Sequence, residues 1–262
     1  MSRNLRSLKG PGFKSMFEHE HHNKILRILN SLNPAIFNEV GAYFGGGTLI
    51  TLLYGEYRWS KDVDFLCPIG PGYRRLRQIV AESNSKPEIF FSNHSALKFP
   101  RDLTADQYGI RFLVMSDDTP IKFEIVAEAR ISLEPPESPQ WLNVPCLSMI
   151  DRYAEKLLAN ADRWADASVE SRDLIDLAVL RLNEELPEVA VVKAEQAYPV
   201  LPSLIKSLTE FKLSKEKRNK CFSKLQIRDR AMIIDGIDML ASDFNLAKTI
   251  REDDEINYSD FY

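Results

Sequence analysis

Residues 45–65 of the chain read GGGTLITLLYGEYRWSKDVDF. The apolar stretch before them, Ile36 to Phe44, predicts a buried strand that the three glycines stop, and Thr48 to Tyr54 predicts a helix. Asp62 to Leu66 alternates polar and apolar residues, the pattern of a half-buried strand. Two residues apart on a strand, Asp62 and Asp64 face the same way, while Val63 and Phe65 point into the core. Two carboxylates that close repel each other unless a cation lies between them. Hard divalent ions such as Mg2+ take oxygen ligands and bridge carboxylates to phosphates. Gly45-Gly46-Gly47, between a strand and a helix, lets backbone N–H groups approach phosphate oxygens, and the helix N-terminus adds a partial positive charge. An isolated Asp-x-Asp is most often a solvated pair, and a lone glycine run a tight turn. In combination they point to a metal–phosphate site. The G-x4-G-K-[ST] pattern of a P-loop is absent.

Working outward, helical spacing of Phe17, Ile25, Leu26 and Leu29 predicts a helix over 14–32, which Asn33-Pro34 ends. A basic helix follows the Gly70-Pro71-Gly72 turn, over Tyr73 to Ser83. Strands are predicted over Glu88–Phe91, Ala96–Phe99, Gly109–Met115 and Ile121–Val126, the last two joined by an Asp117-Asp118-Thr119-Pro120 turn. Four prolines between Ala129 and Pro145 mark a boundary. Beyond Leu147 the long segments read as helices: 147–164, 171–185, 202–211, 214–225 and 229–245. The expected fold is therefore α+β, a mixed sheet with flanking helices over 1–140, followed by an all-α domain over 141–262.

The composition bounds the function. With 262 residues, 44% hydrophobic and 27% charged, the chain is an ordinary globular protein with ample length for a core. No apolar run suits a membrane helix, and the basic N-terminus lacks the apolar centre of a signal peptide. Three scattered cysteines (Cys67, Cys146, Cys221) suggest neither a disulfide framework nor a zinc site, so a reducing, cytoplasmic setting is expected. A net charge of −4 excludes a uniformly basic nucleic-acid coat but leaves room for local basic patches.

Gly46-Gly47-Thr48 followed by Arg58, Ser60, Asp62 and Asp64 resembles the signature of the nucleotidyltransferase superfamily. In particular it is similar to the AbiEii/AbiGii toxin family, with its GGT…R-x-S-x-D-[ILV]-D-F string. Leu147 to Leu177 (LSMIDRYAEKLLANADRWADASVESRDLIDL) resembles that family's second block, a helical lysine followed by an R-D-x-x-D helix. The resemblance implies that Asp62 and Asp64 hold Mg2+, or alternatively Mn2+, against the triphosphate of an NTP. It implies that Gly46, Gly47, Thr48, Arg58 and Ser60 contact the nucleotide and that Lys156 reaches the outer phosphates. Asp173 takes the family's acidic position, holding Lys156 or activating an acceptor hydroxyl, and Asp176 reads as structural. Glu124, on the strand face opposite Phe123 and Ile125, is the candidate third metal ligand, set against a simple pairing with Lys122. The implied biology is a type IV-like toxin–antitoxin or abortive-infection toxin, with a cognate antitoxin and the acceptor end of tRNA as target.

Three rival readings stand beside this one: nucleotide transfer to a small molecule of the antibiotic kind, transfer to a protein hydroxyl such as Ser60, and a non-catalytic nucleotide-binding regulator. A small-molecule enzyme would want an acidic acceptor pocket, and the intact Asp62–Asp64 pair argues against a regulator. Basic residues at Arg74, Arg75 and Arg77, and nine Lys/Arg between Lys206 and Arg230, are candidate RNA backbone surfaces. His19, His21 and His22 read as a solvated helix face rather than a metal cluster, because their spacing does not converge.

Overall fold

The computed structural model describes residues 15–251 and 253–256. The basic stretch 1–14 lies outside them. Helix α1 (Glu20–Ser31) buries Ile25, Ile28 and Leu29. Helix α2 (Pro34–Val40) follows, then the short strand β1 (Tyr43–Phe44), helix α3 (Gly46–Leu53) and strand β2 (Val63–Pro68). Helix α4 (Pro71–Glu82) leads to β3 (Leu97–Lys98), β4 (Thr104–Ala105), β5 (Gly109–Ser116) and β6 (Thr119–Glu128). Past residue 147 the named elements are all helical: α5 (Met149–Arg163), α6 (Arg172–Asn183), α7 (Glu188–Ala197), α8 (Leu201–Leu213), α9 (Lys215–Lys224) and α10 (Arg230–Ser242). The α+β arrangement expected from the sequence is the one observed.

The sheet runs β1-β2-β6-β5-β3, with β4 on β5. It is mixed: β2 and β6 are parallel, and the other pairings are antiparallel. β5 and β6 form a hairpin through Asp117 and Asp118, both left-handed at φ 47° and 58°. That is the two-residue turn whose twist matches the strands, and Asp tolerates it. One sheet face is apolar: Val63, Phe65, Ile110, Phe112, Val114, Ile121, Phe123 and Ile125 are all buried there. Phe65 and Phe123 stack at 5.4 Å, and Phe112 and Phe123 at 4.6 Å. Burying each such ring stabilises the fold by roughly 1.5–3 kcal/mol. The other face carries Asp64, Lys122, Glu124 and Arg111.

A first apolar cluster joins this sheet to α1, α2 and α4, and a second joins α5 through α10. Helix α3 belongs to both, giving Leu49 and Leu52 to the first and Ile50 to the second.

Three sequence expectations change. Residues 36–40 are helical rather than a strand. Asn33 caps α2 by accepting the Ala35 N–H at 3.1 Å, and Pro34 occupies the first helical turn, where its missing N–H costs nothing. Asn33-Pro34 therefore opens a helix as well as following one. Residues 87–90 make a single 3-10 turn, not a strand. Helix α7 and the two-residue β4 were not anticipated, because neither carries clear periodicity.

Candidate active site

The site forms where the N-terminus of α3 meets the start of β2. Asp62 lies immediately before β2 and Asp64 is its second residue. Gly46 adopts φ +65°, and a Cβ there would stand 2.8 Å from Asp64 Oδ2. A Cβ on Gly47 would stand 1.9 Å from Arg58 Nη2. These two positions need glycine: one for its left-handed backbone, both for space. The glycines thus let α3 begin directly beside the carboxylates.

Asp64 is pushed up to about 6 by burial first, then by the charges of Asp62 and Glu124, with Lys122 and Lys156 opposing. Among the described residues no side chain donates a hydrogen bond to, or forms an ion pair with, the carboxylate of Asp62 or Asp64. Neither is there any converging group of three His, Cys, Asp or Glu suited to a metal ion.

Thr48 Oγ1 donates to the Asp62 carbonyl at 2.6 Å. The Ser60 hydroxyl, 2.7 Å away, then donates to Thr48 Oγ1. Both hydroxyls are buried. They are spent on fixing the chain that carries Asp62.

Arg58, expected at the phosphates, instead places its guanidinium against Asp176, with Nε at 2.6 Å and Nη2 at 2.9 Å. Its Nη1 donates to the Trp59 carbonyl at 2.8 Å, and Tyr57 Oη donates to Asp176 at 2.6 Å. Lys156 Nζ lies 2.9 Å from Asp173 Oδ1 and 2.6 Å from Asp176 Oδ2. Arg163 adds two hydrogen bonds to Asp173, at 2.6 and 2.9 Å. Burial alone would raise Asp173, but Lys156 and Arg163 outweigh it and hold the carboxyl well below the usual range. The same opposition, with Arg58 and Lys156, lowers Asp176. Asp173 is therefore a weak base that orients two cations. The lysine is close enough for its charge to act on Asp64.

Glu124 faces Asp64 in the parallel β2–β6 register. Its carboxylate takes Arg111 Nε at 2.5 Å and Lys122 Nζ at 2.5 Å.

The histidines behave differently from a solvated face. His22 is fully buried. Its Nδ1 donates to Glu56 at 2.6 Å, and its Nε2 sits 3.0 Å from the Ser60 carbonyl and 3.3 Å from the Ser60 N–H. His21 Nε2 donates to the Lys61 carbonyl at 3.0 Å. These contacts brace the loop carrying Arg58, Ser60 and Asp62. No pattern in the sequence pointed to this, because the partners lie 34 to 40 residues away. The three cysteines are buried and free, and burial pushes Cys67 up to about 12, which removes it as a nucleophile.

The second basic window is largely internal. Arg218 is buried and chelates Glu255 at 2.7 and 2.9 Å, Lys212 donates to the Ala247 carbonyl, and Arg228 pairs with Glu18. Lys206, Lys220 and Lys224 are exposed there. On α4, Arg74 and Arg77 are exposed, whereas Arg75 pairs with Glu39 at 2.7 Å. No helix among the described residues is long and apolar enough to cross a membrane.

The family described as "Nucleotidyl transferase AbiEii toxin, Type IV TA system" matches residues 27–232. No curated protein matches significantly. A putative nucleotidyltransferase from H. pylori is 17% identical, with a TM-score of 0.45 over 83% of this chain and 89% of that one. JHP933 from Helicobacter pylori is 16% identical, with a TM-score of 0.43 over 85% and 90%. An antigenic nucleotidyltransferase-like protein from Paracoccidioides brasiliensis is 13% identical, with a TM-score of 0.44 over 78% and 93%. On the family match the chain belongs to the AbiEii nucleotidyltransferase toxins. It is a nucleotidyltransferase, and the family implies an NTP substrate and a cognate antitoxin.

Proposed function

We propose that this AbiEii nucleotidyltransferase moves a nucleoside monophosphate from an NTP to RNA, at the acceptor end of a tRNA, with Asp62 and Asp64 holding a divalent cation. The observation that carries the reading is the Asp62–Asp64 pair set against the α3 N-terminus with Lys156 nearby. Asp64 is half-buried beside a second carboxylate, without a donor of its own on its carboxylate, so a cation is the group that relieves it. Oxygen-only donors of this kind fit Mg2+ and Mn2+. When bound, the ion supplies charge neutralisation for the triphosphate.

The chain's own residues do the rest. The N–H groups at Gly46 and Gly47 face the phosphates at the start of α3. Lys156, aimed by Asp173 and Asp176, supplies a point charge for the outer phosphates. Thr48 and Ser60 fix the backbone before Asp62, and Arg58 ties that loop to α6. The acceptor oxygen bonds to the α-phosphorus, the bond to pyrophosphate breaks, and the hydroxyl proton leaves to solvent. Positioning and charge dominate such chemistry.

The polyanionic acceptor is supported by the exposed Arg74 and Arg77 of α4 and by Lys206, Lys220 and Lys224. Filter binding with tRNA tests this. Binding is expected to saturate and to fall steeply with salt, and Arg74→Glu with Arg77→Glu should lower both the affinity and the salt slope. Absence of saturation and of salt dependence would remove RNA as the acceptor.

A further inference from the structure

The carboxylate register across β2 and β6 places Glu124 opposite Asp64, where a third metal ligand would stand. Its surroundings argue for another job. Oε1 accepts from Arg111 Nε and Oε2 from Lys122 Nζ, both at 2.5 Å. Arg111 is held in turn by Asp106, at 3.2 Å. The Glu124 side chain is only 14% exposed, whereas Arg111 is 37% and Lys122 49% exposed, so the carboxylate is covered and its cations reach the surface. Each Glu124 oxygen keeps a lone pair. A divalent ion placed there would sit within a few ångströms of both an ammonium and a guanidinium. Such a contact is repulsive.

Lys122 is the more telling residue. It lies two positions before Glu124, on the same face of β6. Phe123 pairs with Val63, so Lys122 and Asp62 flank one rung of the ladder. Its charge acts on both Asp62 and Asp64. A positive charge, paired with Glu124, therefore already stands on the β6 side of the acids. The charge balance agrees. Asp62, Asp64, Glu124 and Asp106 bring four negative charges, and Arg111 and Lys122 bring two positive ones. One divalent ion neutralises that remainder in the nucleotide-free protein.

We infer that the centre holds a single divalent ion between Asp62 and Asp64, and that Glu124 is not a metal ligand but the anchor that keeps Lys122 and Arg111 on the acceptor side. Lys122 then takes the place that a second metal ion fills in two-ion transfer sites. This rests on the proposal that Asp62 and Asp64 bind the ion.

The test is an electron paramagnetic resonance titration of Mn2+ into the full chain with a non-hydrolysable NTP analogue. The expected result is one bound ion per chain with an uncoupled single-ion spectrum. Glu124→Gln should leave the Mn2+ affinity within about twofold, and Asp64→Asn should lower it more than tenfold, at about 1.4 kcal/mol per tenfold change. Two ions per chain with spin coupling in the wild type, which needs no variant to fold, would overturn the inference while sparing the metal assignment. A tenfold loss in Glu124→Gln with its circular dichroism unchanged would do the same. No bound Mn2+ in the wild type would overturn the metal assignment and the inference together.

Discussion

Arg58 and Asp176, 118 residues apart, form a two-point ion pair at 2.6 and 2.9 Å inside the protein. Arg58 is 4% exposed and Asp176 has no exposure at all. Arg58 comes from the loop that leads into Asp62, and Asp176 from the helix that carries Asp173. The pair therefore ties the loop that carries Asp62 to the helix whose Asp173 and Asp176 hold Lys156. Gly47 is glycine because the guanidinium passes where its side chain would be.

The first prediction follows from that pair. Removing one partner of a buried ion pair costs about 3–5 kcal/mol. Arg58→Ala should fall at the lower end of that range, since Lys156 and Tyr57 still neutralise and bond Asp176. Arg58→Lys should rescue only in part, because an ammonium cannot chelate two oxygens in a plane. Urea unfolding measures this. A large loss of NTP affinity with unchanged stability would instead make Arg58 a phosphate ligand.

Lys156→Ala should leave a folded protein, because Arg163 still serves Asp173 and Arg58 still serves Asp176. A lysine that meets the outer phosphates contributes nothing once they are gone. NTP binding should weaken by about 10- to 150-fold, the worth of one charge-assisted contact, while NMP binding barely changes. Calorimetry with both nucleotides decides the matter. Equal losses would make the lysine purely structural.

Asp64 carries a cost that the metal-free protein bears. Its folded value of about 6 lies above the ordinary 3.8. The folded state therefore holds its proton more tightly, and this carboxyl destabilises the fold progressively as pH rises through that interval. The full cost, at most about 3 kcal/mol, applies above pH 6. Asp64→Asn should thus raise the urea midpoint at pH 7.5 in EDTA, with little gain at pH 4, while abolishing transfer. A variant less stable than wild type at pH 7.5 would show that the site is not charge-strained.

His22 gives the opposite pH signature. Burial lowers its value below 6.5 despite the neighbouring Glu56. The unfolded chain then takes up the proton first, and stability is lost as pH falls below 6.5. Glu56 is also lowered, so it adds to the loss at more acid pH. His22→Gln should flatten this dependence between pH 7.5 and 5.5 in unfolding titrations. An unaltered slope would rule the imidazole out as its source.

Much of this was legible in the chain itself. The β2, β5 and β6 strands showed through alternation, because one sheet face is buried and the other is not. The Asp62–Asp64 pair and the glycines beside it were readable because they are local in sequence. Helix α2 was misread as a strand because Ile36, Phe37 and Val40 are apolar, and the cap at Asn33 needs three-dimensional confirmation. The partners of Arg58, His22 and Glu124 were hidden for a different reason. Each is a long-range pairing, and a charged residue alone does not say whether it faces phosphate, water or another side chain.

The central claim is that Asp62 and Asp64 support nucleotide transfer to RNA. It is tested most directly by incubating the protein with each α-phosphate-labelled NTP, Mg2+ and total RNA, and resolving the products on a denaturing gel beside a protein-only control. The account predicts Mg2+-dependent label on tRNA-sized RNA with the wild type, and none with Asp62→Ala or Asp64→Ala, both remaining folded. Label on the protein without RNA, or near wild-type labelling by either variant, would contradict it.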